Sequence, residues 1–392
     1  MQQRVKRQDL RPGMYVVSYG QGSFDDPVVK VEKPILTPAD VARLVPGDVE
    51  DAVVDTQVRI SLLGQERPAG VPITTGLADE LPIAKRLYSE ALDHVKSFVE
   101  EVRRGTDIDV RKAEPLVQNF IESVFRNESA AVTLFKLRGF DEYTYTHSIN
   151  VSLLAVLLGK HLGLDKAVLL NLGLAGMYHD VGKARIPEAI LNKPGKLTEA
   201  EFNVMKTHPL EGYRLLAGKK DLDPEILRAV VEHHERHDGS GYPRGLRGEA
   251  IGLFSRIIGI VDVYDALTSR RSYKRALLPT RALAVIHGMR GRDFPSSLAE
   301  RFIKFLGPYP VGSFVRLSNG QCGFVRGSHP LRPLAPVILV VCESGGQRLD
   351  RPQTLDLSKD DGAALGVAEA LDPAMFGLAA ETYLLPGGAA TR

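Results

Sequence analysis

The segment Tyr178-His179-Asp180-Val181-Gly182-Lys183 sets an imidazole beside a carboxylate, so one helical turn can offer a cation a neutral nitrogen and an anionic oxygen. Alone, such a pair reads equally well as a helix-end ion pair. Its company changes that balance. In Val230-Val231-Glu232-His233-His234-Glu235, the residues Ile226, Val230 and His233 recur at helical spacing, which turns at least one imidazole toward the apolar interior. A buried imidazole needs a hydrogen bond, a charge or a metal to offset its desolvation, and two adjacent ones favour a metal. His208 extends the set, as does His147, which shares a face with Val151, Leu154 and Leu158; Asp262 joins it from the apolar helix Ile257-Ile258-Gly259-Ile260-Val261. Each taken singly is a satisfied core polar group. Together, on converging apolar helices, they read as a metal centre.

Such a centre needs helices to hold it, and the chain supplies their boundary signals. The apolar run from Val168 closes at His179. Asp223 caps and Pro224 opens the helix leading to His233. Thr198-Glu199-Ala200-Glu201 is a capping box, read as the start of the helix that carries His208. Around these lies a multidomain α+β chain with an all-α catalytic domain over 131–308. Residues 1–75 form a small β-rich N-terminal domain, with strand-like runs such as Met14-Tyr15-Val16-Val17 and a short helix from Thr37 to Leu44. Residues 64–78 carry Gly and Pro and read as a linker into a helical region over 76–130. There Ile83, Leu87, Leu92, Val95, Phe98 and Val99 fit amphipathic helices that can pack on a neighbouring domain or on a second chain in a homodimer. Residues 309–392 form a β-rich C-terminal extension containing Val337-Ile338-Leu339-Val340-Val341, with a frayed tail from Leu385.

Composition excludes several classes. Fifty basic against forty-eight acidic side chains leave a formal charge of +2, too small a field to recruit a nucleic acid polymer or an acidic membrane. The polar N-terminus lacks a secretory signal, and the apolar stretches Ile149 to Leu158 and Ala167 to Met177 are too short to span a membrane, so a cytoplasmic protein is expected. Cys322 and Cys342 are read as two free buried thiols. His94, His161, His287 and His329 have no partner pattern and are read as structural. The stretch Gly176 to Lys183 has a glycine spacing one too long for a phosphate-binding nucleotide loop, and Ala184 stands where Ser or Thr is required.

The run His233-His234-Glu235-Arg236-His237-Asp238-Gly239-Ser240-Gly241-Tyr242-Pro243 resembles the full signature of the HD-GYP family, a set of bacterial signalling phosphodiesterases. The likeness continues through Ile186 to Thr198 and through Asp262-Val263-Tyr264-Asp265-Ala266-Leu267-Thr268-Ser269, covering nearly half the chain. Asp9-Leu10-Arg11-Pro12-Gly13-Met14-Tyr15-Val16 resembles the uncharacterised domain that often precedes HD-GYP domains. The resemblance implies hydrolysis of cyclic di-GMP to linear pGpG and in some members on to GMP, using iron or manganese ions. It implies as ligands His147, His179, Asp180, His208, His233, His234 and Asp262, with Asp180 bridging two metals. Asp265 and His237 are read as residues behind or outside the ligands. Tyr143 stands where three-metal members carry glutamate, so two ions are expected.

Two such ions would lower the pKa of a bridging water and withdraw charge from the phosphate during in-line attack by hydroxide. Asp180 and Lys183 are the expected catalytic residues, Lys183 donating to a phosphate oxygen or to the leaving group. Arg271 and Lys274 match family positions that grip substrate phosphates, with an exposed basic loop as the alternative. Gly239, Gly241, Tyr242 and Pro243 form a turn where backbone can approach a ligand and the tyrosine ring can stack on a base; in the family it also contacts diguanylate cyclase (GGDEF) partners. Gly291-Arg292-Asp293-Phe294-Pro295 departs from the family pattern by lacking an aspartate between Phe294 and Pro295. A cyclic di-GMP sensor or scaffold, and a phosphohydrolase of another cyclic dinucleotide, remain as alternative readings.

Overall fold

The computed structural model describes residues 2–10, 15–19, 29–34, 41, 44–46, 49–55, 75–106, 108–136, 143–219, 222–269, 276–329, 332–359 and 365–384, and the chain divides into two units, 1–68 and 69–392. In the first, β1 (Gln2–Lys6), β2 (Tyr15–Tyr19), β3 (Val29–Pro34) and β4 (Asp51–Asp55) form an antiparallel sheet in the order β1-β4-β2-β3. Ala52 and Val54 alternate inward on β4 and pack with Val16, Leu10 and Val45. The helix read from Thr37 to Leu44, most of the 64–78 linker and the tail from Leu385 lie outside the described residues.

The second unit opens with α1 (Leu77–Arg104), which stops at Gly105 in the left-handed conformation, φ 71°. Its buried stripe is Leu81, Ala84, Leu87, Ala91, Val95, Phe98 and Val102; Ile83, Leu92 and Val99 flank it half-buried. The alanines allow close approach by α2 (Glu114–Arg126) and α3 (Glu128–Lys136). Glu80 is fully buried on α1 and accepts from Ser123 Oγ at 2.7 Å and from Arg126 Nε and Nη2 at 2.7 and 2.8 Å. That forked pair ties α1 to α2.

The centre of the unit is a helix pair, α4 (Tyr143–His161) and α5 (Lys166–Tyr178), in which Ile149 through Leu158 and Leu172 through Tyr178 are buried without interruption. Helices apolar on every side belong in a core. After a 3-10 turn at Val181–Arg185 come α6 (Glu188–Leu191), α7 (Glu199–Met205), α8 (His208–Leu216), α9 (Pro224–Glu232), α10 (Leu253–Thr268), α11 (Pro279–Gly288) and α12 (Ser296–Leu306).

The capping box at Thr198 and Glu201 forms as expected, but its helix ends at Met205 and His208 opens α8 instead. Pro209 explains the correction: in a helix interior it would lose a backbone hydrogen bond and clash with the preceding turn, whereas beside a new N-terminus it costs nothing. None of the helices among the described residues is long and apolar enough to cross a membrane.

Strands β5 (Phe314–Leu317), β6 (Cys322–His329), β7 (Arg332–Cys342), β8 (Arg348–Asp356) and β9 (Val367–Leu371) complete the chain as an antiparallel sheet ordered β8-β7-β6-β5-β9. Each face has its own core, one around Phe314, Phe324 and Val341, the other around Val315, Val325, Ile338 and Val340. Cys322 pairs directly opposite Cys342 across β6 and β7, and both are buried free thiols.

Replacing Glu80 with alanine leaves Arg126 without its anionic partner beside a buried hole. We expect Glu80→Ala to destabilise the chain by about 1–3 kcal/mol, read as a lower urea midpoint with an unchanged slope.

Candidate metal centre

Helix ends deliver most of the cluster. His179 is the residue at which α5 stops, and Asp180 leaves the helix with φ −103° and ψ 7°. His233 likewise closes α9 and is followed by His234, while His208 is the first residue of α8. His147 and Asp262 come from within α4 and α10. The turn after Asp180 presses on α8 so closely that a Cβ at Gly182 would stand 1.9 Å from the His208 carbonyl oxygen and 2.4 Å from the Gly212 nitrogen. Only hydrogen fits there. This contact brings His208 Nε2 to 3.2 Å from Asp180 Oδ1.

The donor atoms gather in two groups, each within 4.8 Å: Asp180 with His208, His233 and His234, and Asp180 with His147 and His179. Asp180 belongs to both. Asp262 Oδ1 lies 3.2 Å from His147 Nε2. The structure thus brings together every residue expected of the ligand set.

The imidazole tautomers follow from the helix ends. A terminating helix leaves its last carbonyls unpaired, and three of the histidines direct Nδ1 at the carbonyl three residues back: His179 to Gly176 at 2.7 Å, His208 to Met205 at 2.8 Å and His233 to Val230 at 2.9 Å. His147, inside its helix, has no free carbonyl and uses the Asp265 carboxylate at 2.8 Å. A backbone carbonyl accepts from Nδ1–H, so the neutral rings of His179, His208 and His233 turn the Nε2 lone pair inward, whereas His147 Nε2 faces the Asp262 and Asp180 carboxylates at 3.2 and 3.5 Å. His208 Nε2 and His233 Nε2 face each other at 3.3 Å. Among the described residues, buried His179 Nε2 and Asp180 Oδ1 make no hydrogen bond. Bare lone pairs and a carboxylate repel one another unless protons or a cation stand between them.

Protons are disfavoured at the histidine pair. Burial pushes His233 down to about 4, against the pull of Asp180, and burial with the neighbouring imidazole also holds His234 well below the usual histidine range. Burial would raise Asp180, but the Lys183 ammonium above all, with His147 beside it, outweighs that and keeps the carboxyl far below its ordinary value. Asp262 is held down in the same way, by His147 above all, against its own burial. Neutral imidazoles and ionised carboxylates are the forms that ligate a transition metal.

Lys183 pairs with Asp180 Oδ2 and keeps 28% of its side chain exposed at the rim. Arg271 and Lys274 lie outside the described residues, and of Tyr143 only the helical backbone is described. Asp265 also accepts from Asn150 Nδ2 at 3.1 Å and Ser269 Oγ at 3.0 Å, so it sits behind His147 as a hydrogen-bond hub. Its spacing of three from Asp262 was a usable signal; Asn150 carried none.

The turn expected to approach a ligand runs past the histidine pair. A Cβ at Gly241 would meet the Arg236 nitrogen and Glu235 Cα at 2.4 and 2.5 Å, so the chain doubles back on itself there. The Tyr242 ring then lies 4.7 Å from His234 at 31°, and Pro243 follows half-buried. Sequence reasoning missed what holds this loop. Buried Glu235 accepts from the Arg244 and Leu246 backbone amides at 2.7 and 3.0 Å. Buried Glu232 accepts from Gly252 N at 2.8 Å, Ser255 Oγ at 3.1 Å and the Arg228 and Arg244 side chains. Gly291 to Pro295, the segment of altered sequence, braces the same turn: its Asp293 and Arg292 carbonyls accept from His237 N at 3.0 Å and Asp238 N at 2.8 Å. We expect Glu235→Ala to speed hydrogen exchange at the Arg244 and Leu246 amides by at least about tenfold, the loss of roughly 1.5 kcal/mol of charge-assisted bonding; unchanged protection would refute the clamp.

An HD domain model matches residues 122–298, and a domain of unknown function, DUF3391, matches residues 2–113. The cyclic di-GMP phosphodiesterase PA4108 of Pseudomonas aeruginosa is 35% identical over 372 residues, covering 92% of this chain and 90% of its own. The cyclic di-GMP phosphodiesterase response regulator RpfG of Xanthomonas campestris is 36% identical over 63% of this chain and 66% of its own. The 3'3'-cGAMP-specific phosphodiesterase 1 of Vibrio cholerae is 42% identical over 35% of this chain and 31% of its own. Likeness that runs through the N-terminal domain, the histidine helices and beyond carries a family assignment: the chain belongs to the HD-domain phosphohydrolases, among the HD-GYP cyclic di-GMP phosphodiesterases that carry a DUF3391 domain.

Proposed function

We propose that the chain hydrolyses cyclic di-GMP to linear pGpG, and onward to GMP when the linear product rebinds. Its centre holds two divalent ions, iron or manganese, through His147, His179, Asp180, His208, His233, His234 and Asp262. The observation that carries this reading is the double membership of Asp180. One carboxylate faces two imidazole sets whose Nε2 lone pairs converge, which suits a pair of cations sharing a bridging ligand. Mixed imidazole and carboxylate donors fit a transition metal. Divalent ions bound there would polarise the phosphate oxygens and lower the pKa of water.

The chain's own groups do the rest. Lys183, ion-paired with Asp180 and open at the rim, is placed to donate a proton or a hydrogen bond to a phosphate oxygen or to the leaving oxygen. His233 and His234 stay neutral because burial disfavours their charged forms, so they add no proton that would compete for the site near neutral pH. The family resemblance assigns Arg271 and Lys274, after α10 in sequence, to the substrate phosphates, and the loop from Gly239 to Pro243 to the dinucleotide and to a diguanylate cyclase partner.

The reading is tested with full-length protein purified without oxygen, loaded with iron or manganese and assayed on cyclic di-GMP. Hydrolysis should fall in His179→Ala and Asp180→Ala by more than the roughly 10–100-fold typical of changes behind the ligands. Binding without cleavage by the loaded wild type would make the protein a sensor. Faster turnover of a mixed cyclic dinucleotide would move the substrate, an arm warranted by the 42% identity to the Vibrio cholerae enzyme.

Asp265 gives a second test, through the tautomer of His147. Asp265→Asn removes the anionic acceptor from Nδ1, and metal affinity measured by chelator competition should drop about 10–100-fold while the fold is retained.

A further inference from the structure

Helix α7 buries none of its residues. Its capping box and the Lys193–Glu201 ion pair, 2.6 Å, hold it in place of a core. On it stands Phe202, a phenyl ring left 46% exposed. The ring meets Tyr242 edge-on, 6.4 Å between centroids at 79°, and Tyr242 in turn lies against His234. Lys206 Nζ sits 5.2 Å from the Phe202 centroid. A row of three rings therefore runs outward from a candidate metal ligand to solvent, with an ammonium at its outer end.

A flat, π-rich ligand fragment suits this row. An exposed phenyl ring that is not buried by its own helix gains from contact with an apolar face, and a nucleobase offers such a face beside a polar edge. In a cyclic dinucleotide each phosphate has a base within a sugar's length. A phosphate at the Asp180 centre thus carries a base to the rings beside it, and Lys206 is stationed for the oxygen-bearing edge of a purine or for the second phosphate.

We propose that Phe202 and Tyr242 form a purine-binding platform and that Phe202, from outside the signature run, sets affinity for the base. This rests on the phosphodiesterase reading of the site. Edge-to-face rings present two surfaces at nearly a right angle, so the base stacks on one and abuts the other. Phe202 is a specificity residue, remote from the reacting atoms, and it acts on KM more than on kcat.

The chain contains no tryptophan, so Phe202→Trp creates a single indole reporter at the platform. In the metal-loaded full chain, cyclic di-GMP should quench that indole saturably, and the variant should keep KM within about threefold of wild type. Phe202→Ala should raise KM about tenfold or more, the loss expected for one base stack. The kcat for cyclic di-GMP should stay within about threefold of wild type, since the base stack is made in the ground state and the transition state alike. Metal content measured on Phe202→Ala separates a damaged centre from a lost platform. An unquenched indole at saturating dinucleotide, or an unchanged KM in Phe202→Ala, overturns the proposal. Saturable quenching by cyclic di-GMP in a protein that does not cleave it would uphold the platform and overturn the phosphodiesterase reading instead.

Discussion

The placement of protons on imidazole Nδ1 governs the site. Five histidines converge on Asp180 and Asp262 in a buried space, and the outward nitrogens of four are each claimed by an acceptor: the carbonyls of Gly176, Met205 and Val230, and the carboxylate of Asp265. Against a backbone carbonyl the proton stays on the ring, so the inward nitrogens of the neutral His179, His208 and His233 are left bare. The resulting convergence of lone pairs and anionic oxygens is costly until something positive enters it. The helices can be understood as the means of arranging that cost.

Helix termination is the economical device here. A carbonyl freed at the end of a helix needs a donor, and a histidine placed just past that end needs an acceptor, so one hydrogen bond satisfies both. The chain uses the arrangement after α5, α7 and α9. His147 cannot, since it lies within α4, and a separate outer network of Asp265, Asn150 and Ser269 replaces the missing carbonyl. Two solutions to one requirement occur side by side, and they differ because of where each histidine falls in its helix.

Much of this was legible in the sequence. His179 closing an apolar helix, Asp223 and Pro224 opening another, and the apolar neighbours of Asp262 all announced their positions, because local propensity and tertiary role agree there. The break before His208 was missed because the capping box at Thr198 is a strong start signal while Pro209 was not weighed as a stop. The roles of Glu232 and Glu235 were hidden for a different reason. Glu235 holds backbone amides 9 and 11 residues away, and Glu232 reaches that of Gly252, 20 residues on; an amide carries no residue-type signal. Cys322 facing Cys342 depends on strand register, which bulges on β6 shift.

Glu235 grips the main chain of the loop at Arg244 and Leu246 and by itself sets no side chain there, although the Arg244 side chain is separately held by Glu232. Its carboxylate reads N–H groups, which every residue but proline provides. The track past the histidines is therefore set independently of what the loop displays. A lineage can exchange the loop's outward residues, and with them what the protein meets at its rim, while the rail beneath stays where the chemistry needs it.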